Sequence, residues 1–280
     1  MIEIFHVSDL HFGKSSAQNQ KAKNLLKKIS QQFPFTKNSN RYLLVTGDIT
    51  DGGKTAQYKL AKDALWAFKG RVFVTPGNHD YGRRGWEYSE ASAKYFDYPF
   101  AESLEFTHPF FDKKVFRRQL KDGSDSSPFL ILGLNSCSKE GLEVFAEGEV
   151  GEEQREQLRR ILEKCDPQIP KLLFLHHVPN KEIYFPPKMT LRDWRELMEI
   201  VKDRIDVLAF GHQGLTLQIE SEKKLTLVAA ERRSMKRRRL ALGKGKKKTQ
   251  VLDADNSVDE CACYQITLQD GQPDVKVVYL

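Results

Sequence analysis

The stretch that decides the fold reads IEIFHVSDLH at residues 2–11. Its first six residues are mostly apolar and do not alternate strictly with polar ones, a pattern typical of a strand buried on both faces. The run then ends in Asp9 and His11, two polar side chains placed where the strand should stop. The stretch therefore predicts a central strand that carries a carboxylate and an imidazole at its carboxyl end.

The same pattern recurs four times further along the chain. Short apolar runs are each followed closely by glycine, acidic, amide or histidine residues, and they lie at Tyr42–Thr46, Val72–Thr75, Leu172–Leu175 and Val207–Phe210. The polar residues that follow them are Gly47-Asp48-Ile49-Thr50-Asp51, Gly77-Asn78-His79-Asp80, His176-His177 and Gly211-His212. Parallel strands place their carboxyl ends along one edge, where α/β proteins bind ligands. Each motif alone is ordinary turn chemistry, but turns do not require histidine, so together the motifs predict one site.

Helical patterns separate the strands and define the fold class. Leu158, Ile161 and Leu162 recur at helical spacing, and Thr190 with Asp193 three residues later predicts a capping box that opens another helix. Strands that alternate with helices predict an α/β fold with a mostly parallel sheet. Beyond Gly211 the strand-like runs have no helices between them, which predicts antiparallel strands that complete a sheet.

The length of 280 residues suits a single layered α/β domain. We expect one domain over residues 1–280, with a less regular insert at about 81–127 and a basic loop at 231–248. The chain starts directly on a strand without a signal sequence, and its four cysteines are too sparse for a disulfide scaffold. These features predict a cytoplasmic protein with reduced thiols.

The residue types at the strand ends also indicate their chemistry. Carboxylates, an amide oxygen and imidazoles, without thiolates, suit ions such as Mn²⁺, Fe, Zn²⁺ or Co²⁺. A carboxylate shared by two such ions about 3.5–4 Å apart forms a two-metal hydrolytic site. The predicted cofactors are therefore two divalent metal ions.

The order and spacing of these motifs resemble the calcineurin-like metallophosphoesterase superfamily. The signature of that superfamily is D-x-H, then G-D-x-x-D, G-N-H-D or G-N-H-E, a histidine at a strand end, and G-H-x-H. The resemblance extends from residue 2 to about residue 230. It implies a four-layer αββα sandwich with a mostly parallel central sheet and a mixed or antiparallel second sheet.

The resemblance also implies a role for each motif residue. It assigns Asp9 and His11 to a first metal, Asp48 to both metals, and Asn78, His176 and His212 to a second metal. It makes His79 the proton donor, oriented by Asp51. The implied activity is hydrolysis of a phosphoester, with a phosphodiester or pyrophosphate favoured, by a hydroxide that bridges the metals. We expect His177 to be either a hydrogen-bond donor that supports the metal ligands from behind, grouped with the substrate-binding residues, or a surface residue, and His6 and His108 to be structural.

One position departs from the superfamily signature. The last motif should place a second histidine two residues after His212, but this chain has Gly214 there. The first metal then keeps Asp9, His11 and Asp48. The protein serine/threonine phosphatases, which this chain resembles at that position, bind their first metal with the same set of ligands. The departure concerns the occupancy of the first metal position, and either His177 or the 231–260 segment is a candidate replacement ligand.

A short basic segment carries almost all of the positive charge. Residues 231–248, ERRSMKRRRLALGKGKKK, hold ten Lys or Arg and one Glu, so the remaining chain is slightly acidic although the whole carries +7. The segment is either a solvated loop or a clamp for nucleic acid or anionic lipid headgroups, which would make the protein peripheral to the membrane. We expect Arg232 and Arg233 to lie nearest the substrate.

The sequence leaves two classes of function open. The first is a metal-dependent phosphoesterase, which includes a nuclease or a pyrophosphatase of nucleotide-linked lipid precursors recruited through the basic segment. The second is a non-catalytic protein that keeps the fold as a scaffold, and Gly214 is its support. The retained Asp48, Asn78 and His79 favour the enzyme.

Overall fold

The structure, a computed structural model, describes residues 1–36, 38–82, 85–108, 110–121, 128–139, 146–179, 190–212, 217–220, 226–229, 262–269 and 272–280. Within these residues the strands form two sheets. Their bounds are Ile2–Val7 (β1), Arg41–Thr46 (β2), Val72–Thr75 (β3), Phe116–Leu120 (β4), Phe129–Gly133 (β5), Lys171–Phe174 (β6), Val207–Phe210 (β7), Leu217–Glu220 (β8), Thr226–Ala229 (β9), Ala262–Gln269 (β10) and Gln272–Tyr279 (β11). The first sheet has the order β11-β10-β1-β2-β3, and the second has the order β4-β5-β6-β7-β9-β8.

The strands that precede the predicted site are parallel to their neighbours within each sheet. β1, β2 and β3 run parallel, and so do β5, β6, β7 and β9. Antiparallel strands flank these groups, because β10 pairs with β1, β4 pairs with β5, and β8 pairs with β9. The α/β class is confirmed, and the parallel strands are divided between two mixed sheets.

The helices cover the outer faces of the two sheets. Their bounds are Ser16–Gln32 (α1), Thr55–Leu65 (α2), Asn78–Tyr81 (α3), Glu90–Tyr95 (α4), Glu152–Lys164 (α5) and Trp194–Val201 (α6). α1 and α2 bury apolar side chains in one hydrophobic cluster with the first sheet, whereas α5 and α6 pack in another with the second sheet. This arrangement gives the expected αββα layers.

The alternation of side chains along β6 and β7 shows why these strands are apolar on both faces. In β6, Leu172 and Phe174 belong to the cluster shared with the first sheet, whereas Leu173 belongs to the cluster under the outer helices. In β7, Val207 and Ala209 face the first cluster and Leu208 faces the second. Both faces of these strands lie against apolar layers, so their sequence does not alternate with polar residues.

Two local predictions need correction. The region from 81 to 127 contains the edge strand β4, which the sequence analysis did not predict because its middle residues are polar and exposed. The predicted capping box at Thr190 is wrong. The last helix begins at Trp194, and the Asp193 carboxylate accepts hydrogen bonds from the backbone N–H groups of Val150 and Gly151 at 3.1 and 2.8 Å.

Among the described residues, no helix is both long enough and apolar enough to cross a membrane. The basic segment 231–248, which includes Arg232 and Arg233, lies outside the described residues, as does Gly214.

Candidate metal centre

The loops that follow β1, β2, β3, β6 and β7 meet at one edge of the two sheets. They bring together the six predicted metal ligands, all of them buried: Asp9, His11, Asp48, Asn78, His176 and His212. The first and last motifs are joined directly, because the backbone N–H of His212 donates to Asp9 Oδ2 at 3.0 Å. The site therefore forms where the two sheets meet, as the strand-end pattern predicted.

Asp9, His11 and Asp48 form the first donor group. His11 Nε2 lies 3.9 Å from Asp9 Oδ1 and 3.7 Å from Asp48 Oδ2, distances too long for hydrogen bonds. Among the described residues, neither Asp9 Oδ1 nor His11 Nε2 has a hydrogen-bond partner. Donors on opposite sides of one ion lie about 4.2 Å apart, since metal–ligand bonds are about 2.1 Å long. The spacing suits one ion held between the three side chains.

A second donor group surrounds His176. Its Nε2 lies 3.1 Å from Asn78 Oδ1, 3.0 Å from His212 Nδ1 and 3.4 Å from Asp48 Oδ1. The two oxygens of Asp48 thus face different groups, Oδ2 toward His11 and Oδ1 toward His176. One carboxylate placed in this way suits an ion on each side.

Hydrogen bonds from outside the second group determine which atoms face inward. His176 Nδ1 donates to the carbonyl of Thr46 at 2.7 Å, so the neutral ring presents a lone pair at Nε2. The amide N–H of Asn78 donates to the carbonyl of Gly85 at 3.1 Å, which turns Asn78 Oδ1 toward His176. His176 Nε2 and Asn78 Oδ1 are then two buried acceptors 3.1 Å apart, and a cation between them would remove their repulsion. The residues present therefore fit a divalent ion at both positions.

The charge of the site is concentrated on Asp48. Burial alone would raise the pKa of its carboxyl, but His176, His79, His11 and His212 together hold that pKa well below its usual value. Asp48 is consequently ionised across the physiological pH range, as a ligand shared by two cations must be.

The backbone of the ligand loops is held in unusual conformations. Asp9, His11, Asp48 and His212 all have positive φ angles, of 55°, 47°, 50° and 75°. Such angles are uncommon for residues other than glycine and cluster at functional sites. Gly211 allows the last loop to approach β1, because a Cβ there would lie 1.8 Å from Ser8 Oγ. The ligand directions thus depend on backbone strain that the surrounding packing maintains.

His79 lies beside both donor groups and is partly open to solvent, with 19% of its side chain exposed. Its Nδ1 donates to the backbone carbonyl of Asp51 at 3.0 Å, and its backbone N–H donates to Asp48 Oδ1 at 3.0 Å. Burial lowers the pKa of His79, but the carboxylates of Asp48, Asp51 and Asp80 and the Asp51 carbonyl outweigh burial and raise it. The imidazolium form is favoured, and Nε2 can then carry a proton.

The Asp51 carboxylate is placed nearer His11 than His79. Its Oδ1 lies 3.3 Å from His11 Nδ1 and 4.0 Å from His79 Nδ1. Burial raises the pKa of Asp51, but His11 outweighs burial and lowers it, with smaller contributions from His79 and Lys14. In this arrangement the Asp51 carboxylate lies at ion-pair distance from His11, and the Asp51 backbone carbonyl orients His79.

His177 is fully buried, which excludes its interpretation as a surface residue. Its Nδ1 lies 2.8 Å from Ser136 Oγ, and its ring centroid is 4.5 Å from that of His212. Burial lowers the pKa of His177 well below its usual value, and His212 and His176 lower it further. A role in contacting substrate stays a prediction, as does the same role for Arg232 and Arg233.

Asp80, a residue without a role in the sequence-based prediction, joins two ligand loops. Its carboxylate accepts hydrogen bonds from the backbone N–H groups of Ile49, Thr50 and Gly77 at 3.1, 2.7 and 3.0 Å. Burial raises the pKa of Asp80 to about 6, and the nearby Asp48 raises it too, whereas these N–H donors oppose the shift. The signal for this role is the position of Asp80, the third residue of the short helix α3, where a carboxylate can reach back to the residue before the helix.

A two-sheet α/β fold with two nitrogen- and oxygen-donor groups that share one carboxylate defines a two-metal phosphoesterase. The sequence model of the calcineurin-like phosphoesterase family matches residues 2–214, and the chain belongs to that family, which is a family of hydrolases.

A curated relative adds a more specific comparison. Over 139 residues, which are 50% of this chain and 42% of the relative, the chain is 30% identical to a probable glycerophosphodiester phosphodiesterase, GpdQ, of Arcobacter nitrofigilis. The chain thus spans less than half the length of this relative.

Solved structures support the fold alone, because their sequences are distant. A dimetal phosphatase from Danio rerio superposes with a TM-score of 0.56 at 11% identity, covering 81% of this chain and 86% of its own. GAP50, described as the anchor in the inner membrane complex of Plasmodium, gives a TM-score of 0.64 at 12% identity, with 99% and 84% coverage.

Proposed function

We propose that this protein hydrolyses phosphodiesters or pyrophosphates with two divalent metal ions, with Mn²⁺, Fe, Zn²⁺ and Co²⁺ as the candidates. The observation that carries the proposal is the division of Asp48 between two buried donor groups beside His79. The preference for a diester is supported by the partial similarity to a probable glycerophosphodiester phosphodiesterase.

When bound, the metals supply Lewis acidity, which neutralises phosphate charge and lowers the pKa of bound water. The residues of the chain supply orientation and a proton. The Thr46 carbonyl holds His176 through Nδ1, and the Asp51 carboxylate lies beside His11 Nδ1, so that Nε2 of each imidazole would be available to a bound ion. His79, partly exposed and biased toward its protonated form, is placed to donate from Nε2 to a phosphoryl oxygen or to the leaving oxygen.

The basic segment 231–248 supports the proposal that the substrate is a large anion, such as nucleic acid or anionic lipid headgroups. β9 runs parallel to β7 with Ala229 opposite Phe210, so β9 ends at the same edge as the candidate metal centre. Arg232 follows Ala229 by three residues in the sequence. A cationic segment that starts at this edge would increase the local concentration of a polyanion without taking part in bond cleavage.

The main test is turnover of bis-p-nitrophenyl phosphate by purified protein that has been stripped with chelator and reloaded with Mn²⁺. We expect metal-dependent release of p-nitrophenolate, and a slower reaction with the monoester p-nitrophenyl phosphate. If the protein binds metal but shows no turnover of any phosphoester, the scaffold class of function is supported instead.

A second test addresses the basic segment. Neutralising Arg237, Arg238, Arg239 and Lys246–Lys248 together should leave turnover of the small chromogenic diester unchanged. The same variant should bind nucleic acid or anionic vesicles more weakly, and its binding should depend less on salt, because fewer counterions are released. An equal loss on small and large substrates would assign the segment to the fold or the metal site.

A further inference from the structure

The two donor groups of the candidate metal centre are unequal. The first has Asp9, His11 and one oxygen of the shared Asp48 carboxylate. At the position where the superfamily signature would add a histidine, this chain has Gly214. The second has the other oxygen of Asp48 together with Asn78, His176 and His212, as described above. A further imidazole, that of His177, lies beside the second group.

The position of His177 is tightly constrained. On one side its ring packs against Gly148, where a Cβ would lie 2.3 Å from His177 Cγ. On the other side its centroid lies 4.5 Å from the His212 ring and 5.0 Å from the His176 ring. Such close packing of a buried imidazole leaves little rotational freedom, so the direction of its nitrogens is determined by the fold.

Ser136 distinguishes the two nitrogens of His177. Ser136 Oγ accepts a hydrogen bond from the backbone N–H of His177 at 3.1 Å and lies 2.8 Å from Nδ1, so it can also accept a hydrogen bond from an Nδ1–H group. The neutral ring then presents a lone pair at Nε2, as His176 does through its bond to Thr46. Within the described part of the chain, Nε2 has no hydrogen-bond partner, although the Ala146 carbonyl interacts with the ring.

We propose that His177 is an additional ligand of the second metal position, which makes that position rich in histidine and the first of the two to fill. His176, His177 and His212 each offer a donor atom, and these atoms lie within 4.8 Å of one another. Donors around one ion lie no more than about 4.2 Å apart, so any pair at the upper value must approach by about 0.6 Å or more for the three rings to bind the same ion. The inference concerns the same site as the proposed function and rests on its metal dependence.

The experiment measures metal binding, so it is independent of turnover. Metal-free protein is titrated with Co²⁺, and the visible absorption of the bound ion reports its coordination. We expect a tight first equivalent and a weaker second one in the unmodified protein. His11→Asn should weaken the second equivalent and spare the first.

Two substitutions of His177 form a matched pair. The amide of His177→Asn overlaps the position of Nδ1 and keeps the bond to Ser136, whereas the amide of His177→Gln reaches the position of Nε2. We expect His177→Asn to weaken the first equivalent about tenfold or more and to change the Co²⁺ spectrum, and His177→Gln to recover part of the affinity. If His177 only packed against its neighbours, His177→Gln would not recover affinity, because packing does not require a donor atom at the position of Nε2.

Ser136→Ala should weaken the first equivalent less, because it removes only the orienting bond, and Ser138→Ala serves as its control. If His177→Asn binds the first Co²⁺ with unchanged affinity and spectrum, the inference is wrong and His177 is a packing residue. Thermal melts of the metal-free variants identify any substitution that fails to fold, and the remaining variants then decide. Tight Co²⁺ binding without phosphoester turnover would contradict the proposed function and leave the inference standing.

Discussion

The two sheets contribute different chemistry to one site. The loops after β1, β2 and β3 supply the carboxylates, the amide and the partly exposed His79, whereas the loops after β6 and β7 supply only buried imidazoles. The first sheet therefore provides the negative charge that holds cations and the group that can donate a proton. The second sheet provides imidazole donors that fix geometry, so the two contributions should fail in different ways when they are altered.

The largest effect should come from Asp48, the residue that joins the two donor groups. Asp48→Asn keeps the shape of the side chain but removes the charge that both ions require. We expect hydrolysis of bis-p-nitrophenyl phosphate to fall to background and metal content to fall for both ions. Asp63→Asn, an exposed site on α2, is the control. Near-normal turnover of Asp48→Asn with added Mn²⁺ would show that the charge of the first sheet is dispensable.

A smaller effect is expected for His79, the proton donor of the first sheet. His79→Ala should lower kcat by about 10²–10⁴-fold, the range for loss of a general acid. Metal content should stay nearly constant, because His79 contacts Asp48 only through its backbone N–H and its Nδ1 is held by the Asp51 carbonyl, although its ring also lies near the donor atoms of His11 and Asp51. The loss should shrink for substrates with good leaving groups, which need no proton. Loss of a metal ion from this variant would instead make His79 a ligand, and His108→Ala controls for histidine removal elsewhere.

The smallest effect is expected for Asp97. This residue tests what burial alone does to the pKa of a carboxyl, for comparison with Asp48 and its neighbouring histidines. Asp97 is buried, no cationic group of the described residues contributes to its pKa, and burial raises that pKa to about 7. Its ordinary pKa is about 3.9, so ionising it costs folding free energy that grows from about pH 4 to pH 7 and then stays constant. Asp97→Asn can still accept the N–H of Phe111. We expect it to stabilise the protein by about 1–3 kcal/mol at pH 8 and by less at pH 5.

Urea unfolding of Asp97→Asn at the two pH values, with Asp63→Asn alongside, measures this difference. A gain that does not depend on pH would show that Asp97 has the same pKa in the folded and the unfolded protein, so that burial does not raise it. Because Asp48 shifts in the opposite direction, the two residues together separate the effect of burial from that of neighbouring histidines.

The ends of these strands could be predicted from the sequence because an apolar run stops there and a group of polar residues begins. Apolar runs at β1, β3 and β7 have the same bounds in the structure as in the sequence pattern, and each ends just before polar residues. β4 was missed because an edge strand with exposed polar residues in its middle has no apolar run. The capping box failed because Asp193 bonds to backbone groups of a distant loop, and local spacing carries no information about that contact.

By itself, the sequence determined the fold class and placed the six candidate ligands at the carboxyl ends of strands, and parallel strands of one sheet bring those ends together. The tertiary structure alone decided which atoms face each other. It placed the Asp51 carboxylate against His11, divided the oxygens of Asp48 between two groups, and buried His177 between Gly148 and His212. These contacts join residues far apart in the chain. Their distances depend on how two sheets pack, and that is a property of the whole core.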